Sequence, residues 1–579
     1  MSKMRVWAPN ARLMEIVVNG QTNSMTEAQQ GWWVLDEPLM KHGDDYSFLI
    51  NGEEPYPDPR SSWQPEGIHG VSRMLDHSHF LWTDQGWQPP PLSSAIIYEL
   101  HIGTFTPEGT FDSAINRLDH LLDLGITHVE LMPVAEFSGN WGWGYDGVDL
   151  YAPHHAYGGP EGLKRFVNAC HLRGLAVLLD VVYNHLGPSG NYLHQFGPYF
   201  TDRYATPWGQ AVNFDEAYSN EVRRFFIDNA LMWLRDYHFD GLRIDAVHAI
   251  VDISAIHFLE QLATEVRNLE AELGRHFVLI AESDLNNPRV VRSPQIGGFG
   301  LDAQWNEDFH HALHALLTGE DNGYYNDFGK MEDLAKVLTR GFVYDGCYSQ
   351  YRKRFHGRSA SGLSGHQFVG FLQNHDQVGN RAIGERTGHL LSEGQLKIGA
   401  ALVLTAPFIP MLFQGEEWAA SSPFMYFTNH QEQGLAEAVK NGRRKEFVSF
   451  GWDPEKIPDP QKESTYFNSK LKWSEAAQRQ HHNIFNWYQS LIRLRRRLPA
   501  LTDARLEETS VAFDEKTNWL IMRRGSVLVI CNFAEKNQRI HFSGLNGKEV
   551  VLASQDGIKN EGTVIVMPKH TAAVLTDRV

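Results

Sequence analysis

Eight short apolar runs, separated by stretches with helical periodicity, constrain the fold of this chain more than any other feature. The runs are residues 95–100, 128–133, 175–182, 241–245, 277–282, 301–305, 368–373 and 408–413. Each has the composition and length of a strand. Amphipathic helical stretches such as 161–173 and 221–237 lie between them. Eight strand-then-helix units over roughly 400 residues argue for an α/β protein built on a (β/α)8 TIM barrel with long loops. A doubly wound open sheet is the competing arrangement, but no Gly-rich phosphate turn follows the first run.

At 579 residues the chain is too long for a single core. Residues 1–90 carry short alternating runs (4–7, 13–18, 31–35 and 46–50) broken by Gly, Asn, Pro and Asp. That pattern predicts a small antiparallel β-sandwich, immunoglobulin-like in the manner of a glycan-binding module. Gln88-Pro89-Pro90-Pro91 is read as a stiff linker that ends it. The barrel is assigned to 91–503. Period-two runs return at 519–523, 527–531 and 563–567, which predicts a C-terminal antiparallel β-sandwich over 504–579. Arg493, Arg495, Arg496 and Arg497 before it read as a solvated helix end favoured by the helix dipole. The loop 186–215, rich in Gly, Pro and aromatics, is long enough to carry function or form a subdomain.

Composition excludes some partners. A net charge of −18 disfavours a nucleic-acid backbone or an anionic membrane and is compatible with a neutral substrate. Cys170, Cys347 and Cys531 are far apart and have no metal-ligand spacing, which suits a reducing cytoplasm. The first residues, MSKMRVWAPNAR, hold no apolar run of signal-peptide length, and no window is long and apolar enough to span a bilayer. The 12% aromatic content, with 16 Trp, serves either a large aromatic core or flat platforms for sugar rings.

Polar residues gather at the C-terminal ends of the runs, where a barrel of this kind places its site. The third run ends in Asp180-Val181-Val182-Tyr183-Asn184-His185, the fourth in Arg243-Ile244-Asp245, the fifth in Glu282-Ser283-Asp284, and the seventh in Gln373-Asn374-His375-Asp376-Gln377. Any one carboxylate could cap a helix, and Arg243 with Asp245 could be a structural ion pair. Several carboxylates on one rim would repel unless function kept them together. Three of them, with two His and no clustered Cys, suggest glycosidic chemistry over metal hydrolysis. A retaining glycosidase needs a nucleophilic carboxylate and a protonated acid roughly 5–5.5 Å apart. Asp245 beside Arg243 is suited to stay ionised as the nucleophile, and Glu282, emerging from an apolar run, to be the general acid. Asp376 could bind sugar hydroxyls and stabilise developing positive charge.

These four stretches, DVVYNH at 180–185, GLRIDA at 241–246, Glu282 and NHD at 374–376, resemble the conserved regions of the α-amylase superfamily, in the right order. The resemblance implies Asp245 as nucleophile, Glu282 as acid/base and Asp376 as transition-state stabiliser. It implies that Arg243, His185 and His375 hold the reacting sugar, that Asp180 and Asn184 support them, and that Tyr145 in Trp143-Gly144-Tyr145-Asp146 stacks on the ring. Five further stretches, 98–109, 246–250, 281–286, 301–311 and 423–428, resemble malto-oligosyltrehalose trehalohydrolases. That family cleaves the α-1,4 bond next to a terminal trehalose, so maltooligosyltrehalose and related α-1,4-glucans are the implied substrates. Asn306, Asp308 and His310 after the sixth run, Glu417 after the eighth, and His248, Gln377 and Asn380 near the triad are further candidates for substrate contact. Trp418 departs from the smaller ring expected at a local sugar contact. The chemistry needs no metal or cofactor, and no acidic cage for calcium stands out. The alternatives are a 1,4-α-glucan branching enzyme using the same triad, and a non-catalytic glucan-binding scaffold.

Overall fold

The computed structural model describes residues 4–36, 40–448 and 453–577. Eight parallel strands close into a barrel in chain order. They are β1 (Ile97–Leu100), β2 (His128–Leu131), β3 (Ala176–Val181), β4 (Gly241–Ile244), β5 (Val278–Ala281), β6 (Ala303–Trp305), β7 (Phe368–Gly370) and β8 (Ile409–Phe413), with β8 pairing back to β1. Every residue of all eight is buried. The outward side chains meet helices and the inward ones fill the barrel, which is why the runs are mostly apolar on both faces.

The two-residue period of a strand stacks the interior in layers. Ile97, Leu178, Ile280, Val369 and Met411 belong to one apolar cluster with Trp305. Two residues further along the same faces come Glu99 on β1, Asp180 on β3 and Glu282 just beyond β5. On β4 the series runs Gly241, Arg243, Asp245. In register, Asp180 lies beside Arg243 and Glu130 beside Glu99. An apolar plug therefore sits beneath a charged layer at the C-terminal mouth.

The outer helices include α1 (Leu118–Leu124), α2 (Gly159–His171), α3 (Ser219–Asp236), α4 (Phe258–Leu273), α5 (Glu307–Thr318), α6 (Glu393–Thr405), α7 (Gln433–Val448) and α8 (Arg479–Arg497). The expected strand–helix alternation fails once. Between β5 and β6 the chain forms only a 3-10 turn, Pro294–Ile296. Pro288, Pro294, Gly297, Gly298 and Gly300 deny that segment a helix. A Cβ on Gly298 would lie 1.9 Å from the Arg292 carbonyl oxygen.

Antiparallel sheets flank the barrel on both sides in sequence. Before it, a three-stranded sheet and a five-stranded sheet contain strands Arg5–Trp7, Met14–Val18, Trp32–Val34 and Asp45–Ile50. After it, a five-stranded and a three-stranded sheet hold Trp519–Arg524, Val527–Asn532 and Val564–Met567. The proline-rich connection does not stand free. Trp87 stacks on His171 and donates to Asp240 Oδ1 at 2.8 Å, which pins it to the barrel. Arg60 reaches from the N-terminal region to Tyr151 and to Asp228 on α3, at 2.8 and 2.9 Å.

One charged residue departs from the expected solvated helix end. Arg495 is buried, and its guanidinium donates to the carbonyls of Leu404, Ala406 and Phe408 at 3.0, 3.0 and 2.8 Å. It caps the C-terminus of α6, where carbonyls lack intrahelical partners. Burial holds its pKa down to about 9. No helix among the described residues is long and apolar enough to cross a membrane.

Candidate active site

Arg243 is the hub of the charged layer. Its side chain is fully buried, with Nη1 donating to Asp180 Oδ2 at 2.6 Å and to Asp245 Oδ1 at 3.0 Å. Nη2 lies 3.0 Å from Glu282 Oε2. That approach is an ion pair without hydrogen-bond alignment, since Nη2 has no hydrogen-bond partner among the described residues. The flat of the guanidinium rests 4.0 Å from the Trp305 ring centroid. Burying a cation is costly, and three carboxylates and an indole face offset that cost here.

The turn after β4 aims the next two groups. Ala246 adopts a left-handed conformation, φ +38°, unusual for a residue with a Cβ. Its N–H then points across to Glu282 and donates to Oε2 at 2.7 Å. The Val247 N–H donates to the Glu282 carbonyl at 3.0 Å. Asp245 is fixed from its other side by Asn184, which donates to its Oδ2 at 2.8 Å and to its carbonyl at 3.0 Å. The side chains of Asp245 and Glu282 retain 11% and 17% exposure, enough to reach solvent at the mouth. Asp376, on the short helix His375–Gly379 after β7, is 37% exposed.

The electrostatics separate these acids. Burial raises the Glu282 carboxyl above its ordinary value; Arg243 opposes the rise and Asp245 adds to it. Asp376 is also raised, by desolvation against the cleft wall, with His375 opposing and Glu282 adding. Asp180 is raised to about 7, again by burial against the pull of Arg243. Burial also acts on His375, yet Glu99 and then Asp376 overcome it and hold the imidazole up at about 9. His375 Nδ1 is bonded to Glu99 Oε1, and its backbone N–H donates to Glu99 Oε2 at 2.9 Å. As a cation it donates its Nε2 proton to Tyr145 Oη, 2.7 Å away, while that hydroxyl donates to Asp180 at 2.6 Å. Tyr145 and His375 stack with centroids 5.1 Å apart. Burial lowers His185 to about 4; its Nδ1 is bonded to Asn184 Oδ1 and its Nε2 to the Tyr145 carbonyl. Gly144 makes room for this loop. A side chain there would meet the Pro133 carbonyl oxygen at 2.2 Å, at a φ of +99°.

A cleft of about 570 Å³ opens over these groups, lined by Tyr145, His185, Asp245, His248, Glu282 and Asp376, with Asn380 at its edge. Sequence reasoning did not find four of its walls. Trp208, 47% exposed, stacks on His185 at 4.6 Å with the ring planes 5° apart. It lies in the hairpin of strands Phe200–Thr206 and Gly209–Val212, inside the aromatic-rich loop whose length suits either function or a subdomain. Tyr426 and Arg443 also line the cleft, Arg443 coming from α7 and lying 5.2 Å from the Tyr426 ring centroid. Nothing in the strand-end pattern points to a helix so late in the chain. The fourth, Trp143, precedes the Tyr145 loop and donates its indole N–H to the Met425 carbonyl at 3.0 Å.

Four of the expected substrate contacts lie outside the lining of the cleft. Asn306 is fully buried and caps α5, accepting from the Phe309 N–H at 3.2 Å and donating to the Gly341 carbonyl at 2.9 Å. Asp308 accepts from the Val343 and Tyr344 N–H groups at 2.7 and 2.8 Å and from Asn286 at 2.8 Å. His310 is bonded between the Leu372 carbonyl and Tyr325. Glu417 is buried against Tyr98 and His120. None of the four lines the cleft, and each is tied into the protein by these bonds. Trp418 likewise contacts no sugar site; it is buried, packed on Trp473 and His120. Gln377 donates to Glu307 Oε2 at 2.6 Å beside the cleft. Among the described residues Glu136, His154 and His155 have the spacing of metal ligands. Both imidazole Nδ1 atoms bond the same Glu136 Oε1, at 2.9 and 2.7 Å, and none of the three lines the cleft.

A closed eight-stranded barrel with this acidic mouth defines a glycoside hydrolase of the α-amylase superfamily, and the model of the alpha-amylase catalytic domain matches residues 73–205. The crystal structure of a Salmonella typhimurium protein assigned as an alpha amylase superposes with a TM-score of 0.91 at 36% identity, covering 99% of this chain and 97% of that one. The malto-oligosyltrehalose trehalohydrolase of Arthrobacter ramosus is 52% identical over 90% of this chain and 91% of its own length. That of a Rhizobium species is 46% identical over 99% and 97%. The chain belongs to the malto-oligosyltrehalose trehalohydrolase family.

Proposed function

We propose that this enzyme hydrolyses the α-1,4-glucosidic bond next to the terminal trehalose of maltooligosyltrehalose, with retention, releasing trehalose and a shortened maltooligosaccharide. Glu282 gives its proton to the glycosidic oxygen as that bond breaks. Asp245 attacks the anomeric carbon and forms the glycosyl-enzyme. Glu282, now ionised, takes a proton from water, whose oxygen displaces Asp245 and restores both carboxyls. The observation that carries this reading is that one guanidinium lies 3.0 Å from both Asp245 and Glu282 while Asp376 shares their cleft. A shared cation favours the ionised nucleophile, and burial favours the protonated acid. Asp376, beside the cation His375, is placed to grip sugar hydroxyls as positive charge develops. Tyr145 and His185 hold the reacting ring from the cleft wall, the buried Arg243 and His375 support the carboxylates beneath it, and His248, Gln377 and Asn380 lie at its edges. Asp180 and Asn184 keep Arg243, Tyr145 and Asp245 in place.

Incubation with maltooligosyltrehalose, and separately with plain maltooligosaccharide, followed by product identification, tests the reading. Trehalose release from the first substrate is expected. New α-1,6 branches without trehalose would assign the same triad to a branching enzyme instead, and no turnover of either would leave a glucan-binding scaffold. Units spanning 1–90, 91–503 and 504–579 and a cytoplasmic location belong to the same proposal. The unpaired state of Cys170, Cys347 and Cys531 supports the location.

A further inference from the structure

We propose that Glu307 is a specificity-determining residue, donating a hydrogen bond from its carboxyl to a hydroxyl of the leaving trehalose. The inference rests on the assignment of Glu282 as the acid. Glu307 is the first residue of α5, directly after β6. Its neighbours Asn306, Asp308 and His310 turn into the protein. Its own side chain keeps 12% exposure. Oε2 accepts from Gln377 Nε2 at 2.6 Å, which ties it to the residue after Asp376, while Oε1 has no hydrogen-bond partner among the described residues.

Position around the mouth says which sugar it meets. Tyr145, Asp180 and His185 gather on the β2–β3 side, Asp245 follows β4, Glu282 follows β5, and Glu307 follows β6. The reacting ring lies over Asp245, and the leaving oxygen must face Glu282. The leaving sugar therefore extends past Glu282 along the rim, toward β6. Charge says what Glu307 offers that sugar. Burial raises its carboxyl well above the ordinary range, and Glu282, Asp376 and Asp284 add to the rise against a smaller pull from Arg243. His311 Nε2, 4.0 Å away, supplies no counter-charge, because burial lowers that imidazole to about 3. Burial and the three neighbouring acids thus favour the protonated carboxyl, whose O–H suits a polyhydroxyl leaving group.

The test compares Glu307→Ala and Glu307→Gln in the full chain. Steady-state kinetics are measured on maltooligosyltrehalose and on a plain maltooligosaccharide of equal length, with trehalose as a product inhibitor. The Ala variant is expected to lose about tenfold in kcat/KM on the trehalose-ended substrate and about tenfold in trehalose inhibition, as for one lost hydrogen bond in a closed site. Its loss on the plain chain is expected to be several-fold smaller. The Gln variant, whose amide still donates, is expected to recover most of both trehalose-linked losses. Equal losses on the two substrates, unchanged trehalose inhibition, or no recovery by Gln would overturn the proposal. Should the Ala variant not fold, Glu307→Ser is measured in the same way with the same losses expected, and uniform loss on the two substrates or unchanged trehalose inhibition would overturn the proposal equally. Wild-type enzyme that releases no trehalose would instead refute the function itself.

Discussion

Replacing Glu99 by Gln isolates the electrostatic support beneath the site, because the amide keeps the shape and an acceptor but removes the charge. His375 stands at about 9 against an ordinary 6.5. That rise is about 3 kcal/mol of preference for the imidazolium, at about 1.4 kcal/mol for each pH unit. Burial works against it, and Glu99 is the largest of the contributions that produce it. In Glu99→Gln, His375 is expected to titrate at or below 6.5, followed by histidine-selective NMR. A histidine whose folded pKa is raised stabilises the fold fully below its unfolded pKa, and that stability is lost as pH rises through the folded value. The wild type is therefore expected to lose on the order of 3 kcal/mol between about pH 6.5 and 9 from this group, and the variant to show a flat profile there. The stability gap should be widest near pH 6 and close above pH 9. A variant whose His375 still titrates near 9, or a gap constant with pH, would refute the pairing of Glu99 with His375.

Three further outcomes follow from the geometry. Glu282→Gln is expected to lower kcat by about 10²–10⁴-fold while retaining substrate affinity by calorimetry; undiminished turnover would remove it as the acid. Trp208→Ala is expected to raise KM several-fold with a smaller change in kcat, because it removes an exposed stacking face worth about 0.5–1.5 kcal/mol; an unchanged KM would place Trp208 outside the sugar path. Arg495→Met is expected to destabilise the protein by about 3–5 kcal/mol in denaturant titrations, since three buried carbonyls lose their donor. A shift below 1 kcal/mol would mean that water replaces the guanidinium without loss.

The barrel and its charged layer were legible because both follow from strand periodicity. A polar residue two positions beyond an inward apolar one must face the same interior, and Asp180 and Glu282, two beyond Leu178 and Ile280, obey this. The same rule gives Glu99, which was passed over because its run also reads as an ordinary apolar strand with one acid. Legibility failed where a residue's partners come from distant sequence. Asn306, Asp308 and His310 are polar residues after a barrel strand, as a site demands, but Asn306 and Asp308 bond α5 and the 341–344 turn, and His310 bonds the Leu372 carbonyl and Tyr325. Glu307, between them, faces the other way. Helical periodicity of 3.6 settles that only once the helix phase is known. Arg495 looked solvated among its charged neighbours because the carbonyls that it binds at the end of α6 lie 87 to 91 residues earlier in the chain. Arg443 reaches the cleft from α7, outside any strand-end pattern.

Glu282→Gln enzyme incubated with an activated α-glucosyl donor such as the fluoride, then digested and analysed by mass spectrometry, tests the joint action of the carboxylates most directly. Such a donor needs no acid for the first step and leaves the glycosyl-enzyme without its base. The account predicts one hexose covalently held on the peptide containing Asp245. Label on Asp376, or efficient turnover with no adduct on any carboxylate, would contradict it.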